Sequence, residues 1–148
     1  MMKLVFILML TGLIFTAKGQ IPDHIPMMNS TWDLLDTKSY KRNANGIYMI
    51  YFPANLRAFD KTTIELPGYM IPIKAGMVHQ TFMLSVLPVL QCQFCGQANI
   101  PSMVEIHLSK PIAYSEAPIK VKGTLILNST DDSQSEFIIT NAVAEELK

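Results

Sequence analysis

Even-numbered Phe82, Leu84 and Val86 alternate with Thr81, Met83 and Ser85, and even-numbered Val104, Ile106 and Leu108 alternate with Met103, Glu105 and His107. Two runs of period two predict two paired strands, each with one buried face. Between them lies a loop bounded by Pro88 and Pro101, with Cys92-Gln93-Phe94-Cys95-Gly96 near its tip. Farther on, Ile119, Val121, Gly123, Leu125 and Leu127 form an odd-numbered inner face opposite Lys120, Lys122 and Thr124. A polar turn over 128–136 leads to a last strand at 137–140, and the acidic residues 142–148 extend that strand or turn once as a helix.

Residues 63–73 make a further strand, interrupted by Pro67-Gly68. Its apolar side is even-numbered before the interruption (Ile64, Leu66) and odd-numbered after it (Tyr69, Ile71, Ile73), which predicts a β-bulge and a sharp bend at Gly68. Five strands, with a bent first one and a long loop between the second and third, predict an all-β chain. The expected fold is a small five-stranded, OB-like Greek-key barrel, with an open sandwich as the competing arrangement. Upstream, Pro53 opens one short helix whose Leu56 and Phe59, at i and i+3, face the core. Residues 47–52 are strand-prone and 36–45 form a loop. Ser30-Thr31-Trp32-Asp33 suits either a capped helical turn or an entry strand anchored by Trp32.

The first nineteen residues change the picture of location. Residues 4–17 carry no charge and are followed by Ala17-Lys18-Gly19, the pattern of a secretory signal peptide cut between Gly19 and Gln20. The expected organisation is a signal peptide over 1–19, an N-terminal arm and entry segment over 20–46, and the barrel over 47–148. The uncharged run is shorter than the ~20 residues of a membrane span, so a periplasmic or secreted protein without a membrane span is expected after cleavage. His24 belongs to the proline-containing arm.

The chain has 148 residues, 49% of them apolar, enough for one core. Without Lys3 and Lys18, ten basic residues stand against twelve acidic, a net charge of −2. That balance offers a phosphate backbone no footprint and excludes nucleic acid as the expected partner. No glycine-rich phosphate loop, no Gly-x-Ser-x-Gly elbow and no carboxylate pair whose spacing suggests acid–base work occurs, so a non-catalytic protein is expected.

Cys92 and Cys95 carry the candidate chemistry, and three readings stand side by side. Two cysteines in an exported chain form a disulfide, or supply two thiolates to a metal ion such as zinc, or act as a thiol-disulfide centre. Nine residues of strand separate His79 from Pro88, about 30 Å at ~3.3 Å each. His79, and His107 paired near it, are therefore expected at the end remote from the cysteines. Zinc would then be completed by solvent, by a partner protein, or by the same motif of a second subunit in a homodimer. His79, Glu105 and His107 are expected on one outer face, as ordinary polar residues or a weak surface metal site. The methionines bear on copper, because thioethers suit Cu(I), yet only Met27-Met28 is clustered and core filling is expected of most. Asn29-Ser30-Thr31 and Asn128-Ser129-Thr130 match the glycosylation acceptor pattern.

The segments PANLRAFDKTTIELPGYMIPIKAGMVHQTFMLSVLPVLQCQFCG, PSMVEIHL and PIKVKGTLIL resemble the bacterial family catalogued as domain of unknown function 3299. The likeness spans roughly residues 47–143. It implies an exported OB-like domain, and some members resemble accessory components encoded beside metal-responsive transport systems. Many members have a cysteine followed two residues later by histidine and then prolines. Here Cys92 is followed by Gln93-Phe94-Cys95-Gly96, which is closer to a Cys-x-x-Cys-Gly branch. The expectation from pattern and resemblance is an exported binding or accessory module of the cell envelope, with a protein or transport component as partner. Its candidate metal ligands, for zinc or copper, are Cys92 and Cys95. Phe94 and Gly96 belong to the binding loop. The alternative is a periplasmic thiol-disulfide oxidoreductase or redox-responsive protein.

Overall fold

The computed structural model describes residues 26–88, 102–131 and 133–147. In chain order the elements are α1 (Ser30–Leu35), β1 (Ser39–Arg42), β2 (Tyr48–Tyr51), α2 (Ala54–Arg57), β3 (Thr63–Pro72), β4 (Val78–Ser85), β5 (Met103–Ala113), β6 (Ile119–Leu127) and β7 (Phe137–Glu146). β1 and β2 form a separate two-stranded ribbon, while β3 to β7 close into a barrel in the order β3-β4-β5-β7-β6. Every barrel neighbour is antiparallel except β5 and β7, which run parallel. This is the OB-type Greek-key arrangement. None of the described helices is long and apolar enough to cross a membrane.

β3 closes the barrel by serving two partners. Its first half pairs with β6, from Thr63 opposite Thr124 to Gly68 opposite Ile119, and its second half pairs with β4, from Tyr69 opposite Ser85. The expected bulge at Gly68 is absent, because the strand changes partner there without inserting a residue. Ile64, Leu66 and Met70 keep the even face inward; Tyr69 is buried as expected but stands outside the core cluster, and Ile73 is exposed. Gly68 is required for a different reason. A Cβ on it would lie 2.7 Å from Leu84 Cγ and 2.8 Å from the Ser85 carbonyl oxygen.

The bulge that does bend the barrel lies in β7. Between Thr140 and Val143 this strand carries one residue more than β6, and between Ile139 and Ala142 one more than β5. Asn141 absorbs the excess at φ 50, a left-handed conformation that asparagine tolerates better than most residues. A second irregularity separates His79, opposite Ile112, from Thr81, opposite His107. It switches the parity of β4, so that His79 turns inward and is only 5% exposed.

The alternating faces of β4, β5 and β6 meet inside, and Trp32, Leu35, Phe52 and Leu56 join the same core cluster. Pairing brings the starts of β3, β5 and β7 and the ends of β4 and β6 to one end of the barrel, and α1 closes that end. Asn29 caps α1 by accepting hydrogen bonds from the Thr31 and Trp32 amides on Oδ1, both at 3.0 Å. Trp32 is fully buried, and its Nε1–H donates to the Pro67 carbonyl at 2.8 Å. The segment 30–33 is therefore a capped helix and also the anchor. Replacing Asn29 with alanine is expected to cost about 1 kcal/mol, read as a lower urea midpoint with unchanged slope. α2 buries Leu56, but Phe59 lies beyond this single turn and is exposed, against expectation.

Candidate functional site

The polar residues that the hydrophobic pattern left unassigned gather around Glu136. α1 ends with the Asp36 amide donating to the Trp32 carbonyl at 3.0 Å, and the chain then enters β1. Two residues apart, Lys38 and Tyr40 reach the same carboxylate: Glu136 Oε2 accepts from Lys38 Nζ and Oε1 from the Tyr40 hydroxyl. Lys38 Nζ also lies 5.0 Å from the centre of the Phe137 ring, within cation–π range.

The hydrogen bond to Glu136, then burial, then the carboxylate's charge push the Tyr40 pKa up to about 12. A raised pKa means that folding holds the phenol proton more tightly, so the associated stability is complete below the unfolded pKa near 10. It is lost as pH rises through about 12. Glu136→Gln is expected to move the Tyr40 titration back towards 10, measured as the tyrosinate absorbance difference from Tyr40→Phe.

The loop from β6 to β7 holds Glu136 in place. Asn128 Nδ2 donates to the carbonyls of Asp131 at 2.7 Å and Ser135 at 3.2 Å, while its Oδ1 accepts from the Asp131 amide at 3.0 Å. Asp131 in turn accepts from the Ser133 hydroxyl at 2.5 Å and from Gln134 Nε2 at 2.9 Å. The Ser133 hydroxyl, foremost, holds the Asp131 pKa below its ordinary value. Both asparagines of the acceptor patterns thus use their side chains structurally, Asn29 as a helix cap and Asn128 as the knot of this loop.

Beside the loop, on the outer face of β4 and β5, His107 Nε2 lies 2.7 Å from Glu105 Oε1, and Glu105 Oε2 accepts from the Ser135 amide at 3.1 Å. Burial raises the Glu105 pKa, but the bonds from His107 and Ser135 outweigh it and leave the carboxyl below its usual value. Ser135 also directs its hydroxyl at Met83 Sδ, 3.8 Å away.

Lys38, Tyr40, Ser135 and Glu136 line a cleft of ≈ 680 Å³ between α1, β1 and the start of β7, with Met83 and Met103 in its wall. A second cleft of ≈ 600 Å³ lies between the β1–β2 ribbon and the β6–β7 loop. Tyr40, Gln134 and Glu136 line both, so the two are halves of one groove. Their volumes fall in the range of small-ligand sites.

Cys92, Phe94, Cys95 and Gly96 lie outside the described residues. Ser102, which follows that segment, lines the first cleft and donates to Asp36 Oδ1 at 2.6 Å. The histidines do not share a face. His79 sits inside the remote end, its Nε2 3.0 Å from the Gly76 carbonyl and its ring edge-on to Tyr114. His107 lies at mid-strand, opposite Thr81, rather than at the remote end. Among the described residues no three His, Cys, Asp or Glu side chains gather closely enough to hold a metal ion. Lys38, Tyr40 and Glu136 escaped the sequence reading because the groups that meet are nearly a hundred positions apart. The only local hint was a basic and aromatic cluster in an apparent loop. The chain matches no family model, no curated protein and no solved structure, so the functional reading rests on the geometry of this groove.

Proposed function

We propose that the chain is an exported, non-catalytic binding module of the cell envelope that holds its ligand or partner in the groove between α1, the β1–β2 ribbon and the β6–β7 loop. The observation that carries this reading is the state of the ionisable groups in the groove. Glu136 is neutralised by Lys38 and hydrogen-bonded by Tyr40, and Asp131 is held by Ser133 and Gln134. Tyr40 is shifted upward and Asp131 downward, both away from neutral pH. Acid–base catalysis needs the opposite, a group brought towards the working pH. An internally satisfied groove suits recognition.

The Cys92–Cys95 pair joins this reading from its sequence pattern. It serves as a short disulfide or as two thiolates for zinc or copper, and an envelope transport component is the proposed partner class. The test combines thiol titration and elemental analysis of natively purified protein with a disulfide-exchange assay. A binding module shows no turnover, whether the cysteines are oxidised or occupied by stoichiometric metal. Turnover abolished by Cys92→Ser would replace this reading with a thiol-disulfide oxidoreductase.

A further inference from the structure

We propose that the outer half of the groove, between the β1–β2 ribbon and the β6–β7 loop, binds an uncharged carbohydrate chain. This rests on the binding-module reading and names its ligand class. The register of the ribbon pairs Tyr40 with Ile50 and Arg42 with Tyr48, which puts Tyr40 and Tyr48 on one face as diagonal neighbours, roughly 7–8 Å apart. Both rings line the groove, and they are 55% and 69% exposed. Tyr40 is held by its hydroxyl on Glu136, so its ring is a fixed platform. On the opposite face the Tyr51 ring is covered by Lys41, whose Nζ lies 3.2 Å from the ring centre.

The facing wall presents Ser129, Thr130 and Gln134 from the β6–β7 loop. Charge decides the ligand class. The two carboxylates lining this half, Glu136 and Asp131, are already engaged, and Arg42, on the tyrosine face, folds back onto the Gly46 carbonyl at 2.9 Å and is not among the lining residues, which include no Lys, Arg or His. A phosphate or carboxylate ligand would therefore meet two carboxylates and no cation in this lining. A sugar ring needs no ion: its C–H face stacks on an aromatic ring, and its rim of hydroxyls exchanges hydrogen bonds with amides and hydroxyls opposite. A peptide strand would instead add to a backbone edge of the ribbon.

The experiment is titration of the ¹⁵N-labelled protein with cellohexaose, chitohexaose, maltohexaose and xylohexaose, followed by two-dimensional NMR. At least one hexasaccharide is expected to shift the amides of Tyr40, Tyr48, Thr130 and Gln134 together, and Tyr48→Ala to weaken it about tenfold, a loss of about 1.4 kcal/mol. Met77→Ser, at the exposed opposite end of the barrel, is expected to bind like the parent. Absence of shifts with all four sugars, or undiminished binding by a folded Tyr48→Ala, overturns the proposal. If peptides shift β2 amides instead, the ligand class is wrong and the binding module stands. Disulfide-exchange turnover would sink the module itself.

Discussion

Trp32→Ala is expected to lose about 3–5 kcal/mol of folding stability, a large share of the roughly 5–15 kcal/mol available to a domain of this kind. Two effects combine. The indole is fully buried in the core cluster, so its removal leaves a large void under α1. It also leaves the Pro67 carbonyl without its donor at the place where β3 changes partner. Trp32→Phe separates the two effects, because it retains most of the ring packing and removes only the donor. A cost of about 1–3 kcal/mol is expected for it. Trp32 is the only tryptophan, so circular dichroism in urea is the appropriate measurement. A loss below about 1 kcal/mol for Trp32→Ala would mean that α1 does not close the barrel.

Gly123→Ala is expected to cost about 2–3 kcal/mol through overpacking. An added Cβ would lie 2.6 Å from Ile139 Cγ2, 2.8 Å from the Thr140 carbonyl oxygen and 3.0 Å from Ala142 Cα. A side chain can rotate away, but two of these atoms are backbone and belong to the bulge of β7. Relief therefore requires the bulge to open or β6 and β7 to separate. Lys122→Ala, an exposed change one residue away, is the control and is expected to stay within about 0.5 kcal/mol. Equal urea midpoints for the two variants would show that β6 does not approach β7 this closely.

The barrel strands were legible where one face is buried and the other wet. Phe82 with Leu84, Val104 with Ile106, and Val121 with Leu125 all point inward as their alternation predicts. β1 was not legible, because all four of its residues are exposed. The turn that forms the ribbon is instead set by Asn43, whose Oδ1 accepts from the Asn45 and Ile47 amides, both at 2.9 Å. Parity misled at two positions. At Gly68 the strand passes from one partner to another, so burial after the bend no longer identifies the inner face. At His79 the opposite error arose, because a register irregularity turned an apparently outward residue inward. The groove lay beyond sequence reading for a simpler reason: its central carboxylate and the groups that bind it come from opposite ends of the chain, and no periodicity links them.

The parallel pairing of β5 with β7 constrains when the native state can form. β7 fills the gap between β5 and β6 and is the last of the barrel strands to be synthesised. A ribosomal tunnel that still holds Phe137–Glu146 therefore holds the whole barrel open. The preceding strands have only local hairpins and the β3–β6 pairing to form while they wait. Commitment to the fold is deferred to the release of this one segment.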